Sequence, residues 1–332
     1  METIRPLHPW VAERRDRITF AIQTTDEREN PRGPALLEAA PIVEDLGFDA
    51  IFLGDHPAWA PECYIYLTSI AHATKCICIG PMVAAAPYRN PVLTARLVSD
   101  IDNLSGGRFI NGLGIGWDAS EWGIGTNEFE RMGLPYPSVK ERQLALEETI
   151  AVMRGVWGPE PFSFDGQTIQ IRDANVPPPM RQPEPPLCIA GGGRNTLNQV
   201  ARLADMSNFG PGPAGGTDDV SVAAKRLETL TAECAAVGRS YDDILRSHFI
   251  HWLILAEDQP ALDAKITRYF QDGISEFWTR NLVALTVADA IDYFQKHVDI
   301  GMQYFVCQVL DPLGDRGTLE LLANQVMPRF KN

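Results

Sequence analysis

Several short runs of residues in this chain carry groups able to do chemistry. Gly54-Asp55-His56-Pro57, with Trp59 just behind, brings a carboxylate, an imidazole and an indole close together in sequence. An imidazole changes charge near neutral pH, so this set suits proton transfer beside a flat aromatic ligand. In the plainer alternative Asp55 caps a turn and His56 is an ordinary loop residue. Gly191-Gly192-Gly193-Arg194-Asn195-Thr196 runs into a helical pattern. Free amides at a helix start, unshielded by side chains, make a place for phosphate; the alternative is a flexible turn. Gly80-Pro81-Met82-Val83-Ala84-Ala85-Ala86 ends in three alanines. They leave room for a planar ring against the backbone, or merely relieve crowding. Gly112-Leu113-Gly114-Ile115-Gly116-Trp117 is spaced GxGxG rather than GxGxxG, and no helix follows it directly. That excludes a dinucleotide fingerprint. Glycine inside a strand instead marks a bulge or a close approach of ligand or backbone.

The elements that must position these runs alternate regularly. Strands read at 18–24, 49–54, 76–84, 108–115, 187–190, 206–210, 247–255 and 303–309. Helices read at 35–46, 61–73, 91–104, 138–155, 195–204, 218–237, 260–270, 287–298 and 317–327. Asp49–Gly54 is apolar without alternation, as a strand buried on both faces should be. Ser138 and Glu141 form a capping box at the start of the long helix. Strand-helix repetition implies a parallel sheet with right-handed crossovers, and eight strands over most of the chain favour a closed (β/α)8 TIM barrel. We expect one domain over 1–332, with an N-terminal extension at 1–16 and a Pro-rich insertion at 156–186 between the fourth and fifth strands. FSFDGQTIQI in that insertion reads as a hairpin turning at Asp165-Gly166. In such a barrel the active site lies at the carboxyl ends of the strands, where the Asp-His pair, the alanines, the GxGxG run and the glycine triplet all fall.

Composition narrows the partners. The chain has 332 residues, 22% of them charged, and a net charge of −14. So acidic a surface repels nucleic acid and anionic membranes. The polar start METIRPLHPWVAERRDR is unlike a signal peptide, and no stretch reaches the about 18 apolar residues a membrane span requires. Six cysteines without a CxxC pair suggest reduced thiols and a cytoplasmic location. Length alone would allow about two domains, although barrels often reach it as one.

In their order these motifs resemble the luciferase-like monooxygenase superfamily, in particular its deazaflavin-dependent branch. The matching pieces are GFDAIFLGDH (47–56), IGPMVAAAPYRNP (79–91), LSGGRFINGLGIGW (104–117) and PPLCIAGGGRNTLNQVARLAD (185–205). The resemblance implies a homodimeric oxidoreductase with coenzyme F-420, an 8-hydroxy-5-deazaflavin, or alternatively FMN at the barrel mouth. With F-420 the reaction would be hydride exchange with a small organic substrate. With FMN it would be oxygen-dependent monooxygenation fed by a separate flavin reductase. The resemblance makes His56 the proton donor or acceptor and has Asp55 orient it or meet the ring edge. Met82, Val83 and Ala85 would lie behind the ring, with a non-proline cis peptide at Met82–Val83. Gly191, Gly192, Gly193 and Thr196 would hold the cofactor phosphate. Trp59 and Trp117 would wall the substrate pocket. Some sugar-phosphate dehydrogenases of the branch carry glutamate at the position of Trp117, and its absence argues against that substrate.

The remaining candidates read more plainly. Asp118, Glu121 and Glu128 read as a solvated face, with pocket lining as the alternative. Arg89 and Arg108 read as partners of buried carboxylates, with contact to phosphate as the alternative. His248 and His251 face opposite sides of the seventh strand, and one of them could reach the mouth. His72 and His297 read as surface or packing residues. No spacing resembles a metal site, and no GxSxG or Cys-His signature marks a covalent nucleophile.

Overall fold

The computed structural model describes residues 5–24, 33–58, 60–116, 127–210, 219–271, 273, 279, 281–309 and 312–331. Its strands are β1 (Thr19–Thr24), β2 (Ala50–Leu53), β3 (Cys78–Pro81), β4 (Ala84–Ala85), β5 (Asn111–Gly114), β6 (Phe162–Asp165), β7 (Gln170–Ala174), β8 (Leu187–Ala190), β9 (Met206–Phe209), β10 (Leu245–Ile250), β11 (Leu253–Ala256), β12 (Val283–Thr286) and β13 (Tyr304–Gln308). Parallel pairing runs β3–β2–β1–β13–β10–β9–β8–β5. Strand β5 then returns to the first edge, through the Ile79–Phe109 bridge and the Ala84–Leu113 pair of β4. Because β4 continues β3 past Pro81, the ring has eight staves, and the expected (β/α)8 TIM barrel is what the chain forms.

The helices follow local signals. Pro91 opens α4 (Pro91–Ser105), Asn90 caps it by accepting from the amides of Val92 and Leu93, and Gly106 ends it at φ 72°. The capping box at Ser138 and Glu141 starts the long helix Val139–Val156. The hairpin β6–β7 forms as read, and it is tied down by Glu148. That carboxylate accepts from the amides of Gln167, Thr168 and Ile169.

Three expectations change. Residues 1–16 are more than an extension: Pro9–Ala12 is a helix whose Trp10 is 1% exposed. Trp10 packs with Ala21, Ala50, Cys78, Met206 and Tyr304 inside the barrel and so forms its floor. Burying an indole there contributes about 3 kcal/mol. The seventh strand is not continuous over 247–255. It ends at Ile250, Trp252 takes φ 47°, and Leu253–Ala256 leaves the barrel to pair with Val283–Thr286. A short apolar run reveals neither such a turn nor the strand β12 that pairs beyond it. The last helix stops at Leu321 and continues as a π turn and a 3-10 turn.

Glycines set how closely the bulge after β3 meets β5. A Cβ on Gly112 would lie 2.0 Å from the carbonyl oxygen of Pro81, and one on Gly114 would lie 2.7 Å from Val83 Cγ2. The GxGxG run therefore marks a close approach of neighbouring backbone and side chain. Gly112→Ala is expected to cost at least about 3 kcal/mol, the upper range for overpacking, read as a fall in the urea midpoint.

On the outer face of β10, His248 stacks on His297 with centroids 4.4 Å apart and meets the Tyr293 hydroxyl at 3.2 Å. Burial, aided by His297 and Arg226, holds the His248 pKa well below its usual value. The folded state therefore keeps His248 neutral where the unfolded chain takes up a proton. Stability is expected to fall as pH drops below about 6.5. Urea unfolding across that range should show a shallower slope in His248→Phe.

Candidate active site at the barrel mouth

The carboxyl ends of β2, β4, β5, β8 and β10 converge on one end of the barrel. At the end of β2, Asp55 is 4% exposed. Arg89 grips it with two parallel bonds, Nη1 to Oδ2 at 2.6 Å and Nη2 to Oδ1 at 2.7 Å. The Ala85 amide donates to the same Oδ2 at 3.1 Å, and the Cys63 thiol approaches Oδ1 at 3.4 Å. Burial by itself would weaken the Arg89 charge, but the bonds and charge of Asp55 more than reverse this and raise its pKa. Burial also pushes the Cys63 thiol up, so it stays protonated. Asp55, Glu62 and Cys63 form a cluster of the size that could hold a metal ion. The guanidinium of Arg89, bonded to both Asp55 and Glu62, already supplies the cation there.

Of the two roles expected for Asp55, these contacts leave the orienting of His56 to another residue and do not bear on the ring edge. Both of its oxygens are engaged by Arg89 and the Ala85 amide, so its work is to tie β2 to the bulge at β4. The partner of His56 is Glu128, whose Oε2 lies 3.2 Å from His56 Nδ1. Glu128 opens a one-turn helix, Glu128–Arg131, capped by Asn127. Its side chain is fully buried, while that of His56 is 19% exposed. The Tyr88 hydroxyl donates to the same Oε2 at 3.1 Å, and the Ala58 amide reaches Oε1 at 3.4 Å. Burial first, and then Glu128, raises the Tyr88 pKa, so the phenol remains a donor. Glu128 is thus no solvated residue. Its sequence surroundings held no signal beyond the aromatic Phe129 beside it.

The peptide between Met82 and Val83 is cis. Met82 points into the barrel interior, Val83 packs on the β5 glycines, and Ala85 is buried with its amide on Asp55. Gly191 has φ 139°, and a Cβ there would meet Thr196 Cγ2 at 2.9 Å. Gly193 caps helix Arg194–Leu203 with no side chain bonded to its first amides. Arg226, a residue the sequence reading missed, lies against Gly192, where a Cβ would fall 2.2 Å from its Nε. Its guanidinium donates to the Gly210 carbonyl at 3.2 Å, and no carboxylate among the described residues pairs with it. Burial alone lowers its pKa. Uncapped amides facing an unneutralised guanidinium are a donor set that fits a phosphate.

Of the other candidates, Arg89 forms the expected ion pair. Arg108 does not, and donates instead to the carbonyls of Ala71, Thr74, Ile77 and Ser105. His251 lies at the mouth near His56, whereas His248 and His297 are packing residues. Trp59, Trp117, Asp118 and Glu121 fall outside the described residues.

A parallel eight-stranded barrel with a carboxylate-backed histidine and a glycine-lined helix start at its carboxyl end defines a class of barrel with its candidate site at the mouth. Residues 18–298 match the family model described as luciferase-like monooxygenase, and the chain belongs to that family. It is 29% identical over 228 residues to an F-420-dependent glucose-6-phosphate dehydrogenase of Intrasporangium calvum, covering 66% of this chain and 65% of that one. The protein of the same name from Microbacterium testaceum is 25% identical over 347 residues, covering 95% and 98%. The fold is also that of the coenzyme F-420-dependent tetrahydromethanopterin reductase from Methanopyrus kandleri. That match has a TM-score of 0.78 and 19% identity, and covers 95% of this chain and 100% of that one.

The Asp55–Arg89 clamp makes a stability prediction. Arg89→Met leaves a buried carboxylate uncompensated and is expected to cost about 3–5 kcal/mol. The double variant Asp55→Leu/Arg89→Met should recover most of that loss in chemical denaturation.

Proposed function

We propose that this protein is an oxidoreductase that moves a hydride between coenzyme F-420 and a small organic substrate. The observation that carries the reading is His56 at the barrel mouth, held through Nδ1 by the buried carboxylate of Glu128. Hydride loss from an alcohol, or hydride gain by a carbonyl, requires a proton to move at the neighbouring oxygen. A histidine whose Nδ1–H is fixed by a carboxylate has a set tautomer and a set ring orientation, which suit it to that transfer. Tyr88 keeps Glu128 in place and, as a phenol, completes the polar environment around its charge.

The names of the relatives support the deazaflavin, and the donor set at 191–193 with Arg226 suits its phosphate. Gly191, Gly192, Gly193, Thr196 and Arg226 would hold that group, and Met82, Val83 and Ala85 would line the face behind the ring. When bound, the cofactor supplies the carbon that accepts or gives the hydride. The chain supplies orientation, exclusion of water and the proton at His56. The family's monooxygenase description keeps reduced FMN with oxygen as the second reading. The net charge of −14 lends it some support, because a polyanionic deazaflavin tail prefers a basic groove.

Fluorescence-quenching titrations of the pure protein with F-420 and with FMN separate the two. Tight binding of F-420 is the expected result, and tight binding of FMN alone reverses the assignment. His56→Ala is expected to bind the cofactor as the parent does while turnover drops about 100-fold or more. Full turnover in that variant would remove His56 from the proton path.

A further inference from the structure

The helix that carries Glu128 is too short to hold itself in place. Glu128–Arg131 is four residues long, and a single turn gains too little from its own hydrogen bonds to offset the ordering of its backbone. Tertiary packing must seat it, and its buried anchor is Phe129, 1% exposed. Phe129 meets Tyr88 edge-on with centroids 4.8 Å apart and Tyr136 at 5.1 Å. It also lies over Gly116, where a Cβ would come 3.0 Å from Phe129 Cε2 and 3.5 Å from the Cβ of Ala85. Gly116 takes φ 73°, so both the turn and the ring above it require glycine.

Gly116 and Tyr136 are in turn held by one side chain, Arg142, near the start of the long helix Val139–Val156. Arg142 is 4% exposed. Its Nη1 donates to the carbonyls of Gly116 at 2.7 Å and Ile115 at 3.3 Å, and its Nε to that of Pro137 at 3.2 Å. Its Nη2 donates to the Tyr136 hydroxyl at 2.9 Å, and the guanidinium lies over the Tyr136 ring, 4.6 Å from the centroid. The end of β5, the stretch after the short helix and the start of the long helix are thus tied at one point. A planar fork of fixed donors can hold several carbonyls in one geometry, which a neutral side chain of that size cannot.

We propose that Arg142 is a positioning residue for proton transfer at His56. It acts through Gly116, Tyr136 and Phe129, which seat the short helix so that Glu128 Oε2 meets His56 Nδ1. The inference rests on the oxidoreductase reading above, in which His56 carries the proton. Its first support is a continuous path. The guanidinium bonds Gly116 and Tyr136, these pack on Phe129, and the neighbour of Phe129 is the carboxylate that bonds His56. Its second support is a branch of that path. Phe129 also packs on Tyr88, whose hydroxyl donates to the same Oε2, so a displaced Phe129 would disturb the carboxylate and its second donor together. The bond from His56 to Glu128 is 3.2 Å long. That is the long end of the normal range, and a further shift of about 0.4 Å would end it. Arg142 itself exchanges no proton.

The test uses the full chain, labelled at histidine nitrogen, and reads the Nδ1 proton of His56 by NMR, assigned by its disappearance in His56→Gln. In the parent we expect a downfield resonance protected from exchange with water. Arg142→Met should move it upfield and raise its exchange rate about tenfold or more, as for withdrawal of a charged donor from its acceptors. Arg142→Lys, which keeps the charge and some of the donors, should recover part of that change. Tyr136→Phe, which removes one acceptor of the guanidinium, should give a smaller rise, and it serves in place of Arg142→Met if that variant does not fold. A clasp that served stability alone would lower the urea midpoint and leave the His56 proton unmoved in these variants, and that result overturns the inference. Quenching of F-420 is read on the same samples. Quenching by the parent together with an unmoved His56 proton removes Arg142 from the proton path and leaves the F-420 reading intact. No quenching by the parent overturns the reading on which the inference rests.

Discussion

The buried ion pair of Asp55 and Arg89 is the joint on which the mouth of the barrel depends. A carboxylate taken out of water costs several kcal/mol unless a cation of matching geometry meets it. The fork of Arg89 does so with two short parallel bonds. The Ala85 amide adds a third, which fastens the bulge after β3 to the end of β2. From Arg89 the contacts continue through its neighbour Tyr88 to Glu128, and from Glu128 to His56, the residue after Asp55. The path starts and ends on adjacent residues, so the histidine is held by a closed ring of contacts rather than by a single partner.

That ring also sets the electrostatics. The chain carries a net charge of −14, yet the carboxylates described at its mouth are matched. Asp55 and Glu62 face Arg89, and Glu128 faces His56 and the Tyr88 hydroxyl. At physiological salt, charges farther than about 8 Å are largely screened, so a ligand at the mouth responds to these neighbours more than to the distant acidic surface. Arg226 is the counterweight, a guanidinium placed against the glycine triplet without a carboxylate of its own among the described residues. Two sides of the barrel mouth thus differ in kind, one presenting a histidine held by a carboxylate and the other a guanidinium beside glycines.

Some of this site was legible in residue order. The Asp-His pair and the glycine triplet were readable because chain position and strand ends placed them at the mouth. The β5 glycines announced a close approach, although only the structure shows that Pro81 and Val83, rather than a ligand, make it. Glu128 looked solvated because its surroundings are rich in glycine and charge, and nothing local distinguishes a carboxylate that will face a histidine 72 residues away. Asp55 looked like the natural partner of His56 because it is adjacent. Adjacent residues at a strand end point in different directions, and here they serve different partners. Trp10 was read as part of a tail, since a lone aromatic in a polar segment carries no period from which to infer burial.

The sequence by itself determined the order of strands and helices, the closed parallel barrel and the end of it at which the candidate residues gather. Those follow from apolar runs, caps and turn residues that act over a few positions. Tertiary structure alone decided which carboxylate supports His56, what Asp55 holds, where Arg226 lies and how His251 is turned over the mouth. Each of those depends on contacts between residues far apart in the chain, and on a local turn at Trp252 that an apolar run does not betray.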